Sequence, residues 1–117
     1  MKASQRAMVA AIAAAAVNGK DYRTTYDYAQ GGYIHTSVKM NGQKMTGYDY
    51  SRSAHVTGTL PGFYDYQEGE HFTLKVDGSK FSGYAYGARA HFSGAVRDGA
   101  VSLYDYETSS HYNFSVA

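Results

Sequence analysis

One short pattern recurs along most of this chain and limits what it can fold into. Tyr26-Asp27-Tyr28, Tyr48-Asp49-Tyr50, Tyr64-Asp65-Tyr66 and Tyr104-Asp105-Tyr106 are copies of one triplet, and Tyr84-Ala85-Tyr86 is a degenerate fifth. A histidine follows each: His35, His55, His71, His91 and His111. In the last four copies it lies seven residues after the first tyrosine. In the first it lies nine after, which reads as an insertion of two. The copies begin 22, 16, 20 and 20 residues apart. A period of about twenty suits one β-hairpin per copy, because two ordinary strands and their turns use that length.

The turn chemistry agrees. Asn41-Gly42, Pro61-Gly62, Asp77-Gly78 and Asp98-Gly99 are tight-turn dipeptides. They alternate with four-residue connections at 51–54, 67–70, 87–90 and 107–110. The expected result is ten strands in a meander: 22–28, 33–40, 43–50, 55–60, 63–66, 71–76, 79–86, 91–97, 100–106 and 111–116. Alternation then assigns two faces. One face carries Val38, Met45, Val56, Phe63, Phe72, Leu74, Phe81, Phe92, Val96, Val101, Leu103, Phe114 and Val116, with Ile34, Met40, Leu60, Val76 and Tyr112. The same face carries Gly47, Gly58, Gly83 and Gly94, and the middle Asp of each triplet. The other face carries both tyrosines of every triplet, the five histidines, and many Ser, Thr and Lys.

Residues 1–19 differ in kind. Eight of the 16 alanines lie in the first 16 residues, and the run Ala7–Val17 is apolar all round. With Ser4 as N-cap and Asn18-Gly19 as a stop signal, this predicts a helix from Ser4 to Asn18. A helix with no polar face must be buried on every side or lie in lipid. The alternative is a secretory signal peptide, with Lys2 and Arg6 as its basic start and Ala14-Ala15-Ala16 as its cleavage site. The mostly alanine run favours the retained helix, because only Met8, Val9, Ile12 and Val17 would drive membrane insertion.

An apolar sheet face and an apolar helix each need a partner. Ten strands tilted by about 40° close into a barrel of radius about 10 Å, close to the spacing of packed layers. A slim alanine helix about 21 Å long matches a seven-residue strand of about 23 Å. Residues 1–117 therefore form one domain, a mainly β fold. Residues 20–117 make a ten-stranded antiparallel up-and-down barrel of five hairpins, and the helix of residues 1–19 threads or plugs it. The helix should begin at the four-residue-loop end, with sheet glycines letting it approach. There Asp27, Asp49, Asp65 and Asp105 would favour its positive end and cap it.

Composition narrows the chemistry. The chain has 13 Tyr, no Cys, no Trp and a net charge of +1. Leu, Ile, Val and Phe make up only 18 of 117 residues, which fits a small annular core around a slim helix. Without cysteine there is no disulfide frame and no thiolate metal site. Near-neutral charge disfavours a nucleic-acid binder, although Lys39, Lys44, Lys75, Lys80 and Arg97 share the outer face. Histidines on alternate strands stand about 9.6 Å apart, too far to share one metal ion. They are expected to pack cross-strand on tyrosine, such as Tyr106 opposite His111. The aspartates are likewise too spread for one cation, and no ordered catalytic triad appears. No enzyme activity, cofactor, metal or transmembrane helix is expected.

The tyrosines remain as candidates, since each offers an apolar ring and a hydroxyl at low entropic cost. The expected binding set is Tyr26, Tyr28, Tyr48, Tyr50, Tyr64, Tyr66, Tyr84, Tyr86, Tyr104 and Tyr106 with the five histidines. The expected function is non-enzymatic recognition of a protein partner, or self-association into a homo-oligomer. Multivalent carbohydrate binding is the alternative. If residues 1–16 are cleaved, a hollow lipid-binding barrel and a secreted or periplasmic location follow; a retained helix suits the cytoplasm. The ten-strand meander is similar in outline to fatty-acid-binding proteins and to some repeat lectins, a likeness of architecture that carries no residues across.

Overall fold

The computed structural model describes residues Met1–Ala117 as one helix and eleven strands. The helix α1 spans Ala3–Asn18. The strands are β1 (Thr25–Asp27), β2 (Gly32–Ile34), β3 (Thr36–Asn41), β4 (Lys44–Asp49), β5 (Ala54–Thr59), β6 (Gly62–Asp65), β7 (Glu70–Asp77), β8 (Lys80–Ala85), β9 (Ala90–Arg97), β10 (Ala100–Asp105) and β11 (Ser110–Val116). All pairings are antiparallel, in the order β2-β1-β11-β10-β9-β8-β7-β6-β5-β4-β3. The first and last members of that order, β2 and β3, are joined through His35, so the sheet is a nearly closed barrel. A pair of backbone bonds between Tyr22 and Val38, 3.0 and 2.8 Å, ties the seam.

The eleventh strand corrects the expected count. The stretch 33–40 was expected as one strand and is two. Thr25 pairs with Ile34, whereas Tyr22 pairs with Val38. Two residues on one side, Arg23 and Thr24, thus face three on the other, the signature of a β-bulge, and the extra residue at His35 breaks the ladder. The expected strand 22–28 shrinks for the same reason to β1 and the single Tyr22 bridge. The bulge turns Thr36 inward, where its hydroxyl lies 2.9 Å from that of Thr25 and both residues are fully buried.

Three tight turns are shifted by one residue: β5 ends at Thr59 and β6 begins at Gly62, which leaves Leu60-Pro61 rather than Pro61-Gly62 between them. Asn41 pairs with Lys44 and Asp77 with Lys80, so the central residues are Gly42-Gln43 and Gly78-Ser79. Each glycine has φ of 63°, the left-handed value that a two-residue hairpin turn asks of its first central position. The helix begins one residue early, with Lys2 rather than Ser4 at its N-cap, because Gln5 Oε1 accepts the Lys2 N–H at 3.0 Å. It ends as expected, at left-handed Gly19, whose N–H donates to Ala15 O at 2.8 Å.

Residues Ala7–Ala15 of α1 are 0–1% exposed, and the helix touches β1, β3, β4, β7, β9, β10 and β11. Met8, Val9 and Ile12 meet Val38, Met45, Val56, Phe63, Phe72, Leu74, Phe81, Phe92, Val96, Val101, Leu103, Phe114 and Val116 in one buried core. Ile34, Met40, Leu60 and Tyr112 lie half-buried against that core, and Val76 is exposed. The sheet glycines serve a different purpose from the expected one. A Cβ at Gly83 or Gly94 would collide with the ring of Phe92 or Phe81, which lies over it from the neighbouring strand. Gly58 makes the same room for Phe63, and Gly47 alone looks toward the helix, at Met8 Sδ.

Asn18 Nδ2 donates to Asp98 O at 2.7 Å, whereas the Met1 amino group meets Asp105 Oδ2 at 3.2 Å. The helix therefore starts beside the four-residue loops and finishes beside the two-residue turns. These are called below the loop end and the turn end.

Candidate recognition surface

The outer face at the loop end is a girdle of aromatic rings. In each hairpin the first tyrosine of the triplet is half-buried and acts as a hub. Tyr48 packs edge-to-face on Tyr50 and His55, Tyr64 on Tyr66 and His71, Tyr84 on Tyr86 and His91, and Tyr104 on Tyr106 and His111. Centroid separations run from 4.5 Å to 4.9 Å, the distance at which a ring edge meets a ring face favourably. Strand alternation explains the arrangement: residues two apart share a face, and the histidine stands directly across the ladder.

Three sequence expectations change here. The partner of His111 is Tyr104, not Tyr106, because the register pairs Tyr104 with His111. Tyr106 follows just past the end of the same strand and turns toward β9, where its N–H donates to His91 O at 3.1 Å. In the first hairpin the ring opposite Tyr26 is Tyr33, at 4.8 Å, with Tyr28 at 5.0 Å on the other side. Tyr33 is seven residues after Tyr26, the spacing His has elsewhere, so the supposed insertion of two was a misassigned partner. His35 belongs to the bulge, where its carbonyl accepts the Tyr50 N–H at 2.9 Å.

Equivalent bonds run from Tyr66 N–H to His55 O and from Tyr86 N–H to His71 O, at 2.9 and 3.0 Å. Each such histidine stands between the hub of its own hairpin and the outer tyrosine of the next. The hubs Tyr26, Tyr48, Tyr64, Tyr84 and Tyr104 form a floor. Above it stand Tyr28, Tyr50, Tyr66, Tyr86 and Tyr106, each 55–64% exposed, with Tyr33 at 70%. All five histidines are exposed, and no three metal-ligating side chains converge.

Beneath the girdle lies a buried polar rim. Asp27, Asp49, Asp65 and Asp105 are 0–1% exposed. The expectation that they cap α1 is corrected for three of them. Asp27 Oδ1 accepts Ala29 N–H, Asp49 Oδ1 accepts Ser51 N–H, and Asp65 Oδ1 accepts Gln67 N–H, at 2.9–3.0 Å. These bonds close each aspartate on its own loop, an Asx turn that a carboxylate two residues upstream makes without help. Asp105 does the same with Glu107 N–H at 2.9 Å and is the one that also reaches the helix segment. It contacts the Met1 amino group and lies 3.6 Å from Arg6 Nη1. Arg6 in turn stacks on the Tyr112 ring, 3.9 Å from its centroid.

Arg52 was not singled out by sequence, and it ties two loops together. Its Nε donates to Asp49 Oδ2 at 2.8 Å and its Nη1 to Asp65 Oδ2 at 3.1 Å. Burial alone would lower the Arg52 pKa, but the bond to Asp49 and the charge of Asp65 outweigh it and hold the pKa above its ordinary value. In the hairpin where Ala85 replaces aspartate, Glu70 supplies a carboxylate from β7. It lies against Gly87, where any Cβ would collide with it, and accepts Gln5 Nε2 at 2.8 Å. Lys2 pairs with Glu68, whose hydrogen bond and charge raise the lysine pKa.

The girdle can offer rings and hydroxyls to a partner, while the rim is occupied with its own loops. Comparison with protein-family models, curated proteins and solved structures finds no match to this chain.

Proposed function

We propose that this chain is a non-enzymatic recognition protein whose contact surface is the outer row of the girdle. Tyr28, Tyr50, Tyr66, Tyr86 and Tyr106 are the contact residues, with Tyr33 and the histidines beside them. One observation carries this reading. The half-buried hubs already make the cross-strand ladder contacts that stabilise a sheet. The outer tyrosines add a second row that leaves more than half of each side chain in water. Exposed tyrosines on a rigid scaffold suit a protein partner or a second copy of this chain. Carbohydrate is the second reading, with sugar rings stacked on tyrosine and histidine bonding the hydroxyls. We also infer that α1 threads the barrel as a permanent plug, which leaves no hollow for a lipid. The complete burial of Ala7–Ala15 supports this.

The test compares the two rows. Replacing Tyr50, Tyr66, Tyr86 and Tyr106 together by Ser should leave the fold within about 1–2 kcal/mol of wild type by thermal melting. The same change at a single hub, Tyr84→Ser, should cost about 1–2 kcal/mol alone, from lost ring contacts. Sedimentation velocity of wild type should show concentration-dependent association that the outer variant lacks. A glycan array separates the carbohydrate reading. If the outer variant unfolds and wild type is monomeric and blank on the array, the outer row is structural and the proposal fails.

A further inference from the structure

The turn end carries a second surface, of different chemistry. Seven of the chain's 11 cations lie there: Lys20, Arg23, Lys39, Lys44, Lys75, Lys80 and Arg97. All seven are exposed, and none lies within 4.0 Å of a carboxylate. The side-chain carboxylates of that end are Asp21, Asp77 and Asp98. Amid the cations one part of the barrel's end is apolar. A depression between α1 and the turns of β3–β4, β5–β6 and β7–β8 is lined by Ala16, Met40, Leu60, Pro61, Leu74 and Val76, with Lys75 at its edge. The pairings Asn41–Lys44, Asp77–Lys80 and Arg97–Ala100 leave only two residues in each turn, so nothing long projects and the face is blunt.

We propose that the turn end docks on an anionic lipid bilayer. A blunt face of unpaired cations around aliphatic side chains complements a flat negative surface with an apolar interior. Two other occupants fit less well. Single-stranded nucleic acid needs exposed rings for its bases, and this protein's exposed rings are at the opposite end. A second copy would have to present free negative charge. The loop-end aspartates are buried and bonded to their own loops, and Glu68 is held by Lys2.

The experiment is co-sedimentation of the full chain with vesicles of phosphatidylcholine and phosphatidylserine in equal parts, and with vesicles of phosphatidylcholine alone. Wild type should bind the anionic vesicles, weaken as salt is raised, and ignore the neutral ones. Replacing Lys44, Lys75 and Lys80 together by Gln should lower binding about a hundredfold, near fivefold per lysine, with the thermal melt unchanged. The outer-tyrosine variant should bind vesicles like wild type, which keeps this proposal separate from the girdle. Four results would overturn it: no binding to anionic vesicles, equal binding to neutral ones, full binding by the glutamine variant, or tighter binding to an oligothymidine than to vesicles. Loss of binding in the tyrosine variant alone would assign the membrane contact to the girdle instead.

Discussion

At the loop end, the Met1 amino group, Lys2, Arg6 and Arg52 are paired with carboxylates; at the turn end, seven cations and three side-chain carboxylates are exposed and form no ion pair. Every ion pair in the molecule belongs to the loop end, where Met1, Lys2, Arg6 and Arg52 meet Asp49, Asp65, Asp105, Glu68 and Glu107. The difference follows from turn length. A four-residue loop has backbone N–H groups that no strand satisfies, and a carboxylate at its base bonds them. At Asp49, Asp65 and Asp105 that buried carboxylate also meets a cation. A two-residue turn leaves no such N–H groups, so the turn end needs no buried acid and its cations remain free. The same kinds of side chain thus hold one end together and leave the other available.

The comparison can be broken or sharpened by removing its parts. The largest effect is expected from deleting residues 1–18, which takes away the buried helix and the cations that meet Asp105. Residues 19–117 should lose cooperative thermal unfolding, a loss above about 4 kcal/mol. A truncated chain as stable as the whole would revive the alternative reading of a signal peptide. Next comes Arg52→Met at the loop end. It strands two buried carboxylates and should cost about 3 kcal/mol in urea denaturation at neutral pH. Because the folded Arg52 pKa is raised, its contribution is fully present below the unfolded pKa and fades only as pH rises through the folded value. The Arg52→Met deficit should therefore not shrink between neutral and mildly alkaline pH.

A smaller effect, of opposite sign, is expected at Arg89. Gly31 and Gly69 take left-handed φ four residues after the triplet centre, and Ser53, Arg89 and Ser109 are forced into the same conformation at 52–54°. Arg89→Gly removes that strain and should stabilise the protein by about 0.5–1 kcal/mol. The smallest effect belongs to the turn end. Lys75→Gln should change stability by less than about 0.5 kcal/mol, because no partner is lost. If Lys75→Gln proved as costly as Arg52→Met, the contrast between the ends would be wrong.

Much of this was legible in the residues. The hairpins, the inward and outward faces, the buried helix and its direction all follow from alternation, turn dipeptides and the need of two apolar surfaces for each other. The aromatic girdle was legible too, because strand geometry puts Tyr48, Tyr50 and His55 on one face. What failed did so where register matters. His35 looked like the partner of Tyr26 by analogy, yet Tyr33 stands across from it, and the bulge at His35 has no local signal. Arg52 looked like an ordinary loop residue until the next loop brought Asp65 to it, beside the Asp49 of its own loop. Glu70 brings a carboxylate from β7 against Gly87, in the hairpin where Ala85 has none, which no pattern within one hairpin announces.

The sequence by itself determined which side chains face in and which face out, since a strand's period of two leaves no choice once the apolar positions are set. It also determined that an alanine-rich segment must be enclosed, because nothing on that segment can face water. Only the tertiary structure decided which residues stand opposite each other, where the seam closes, and which aspartate also reaches the helix segment. Those depend on distances between strands far apart in the chain, and a one-residue shift in register exchanges every partner while leaving the pattern intact.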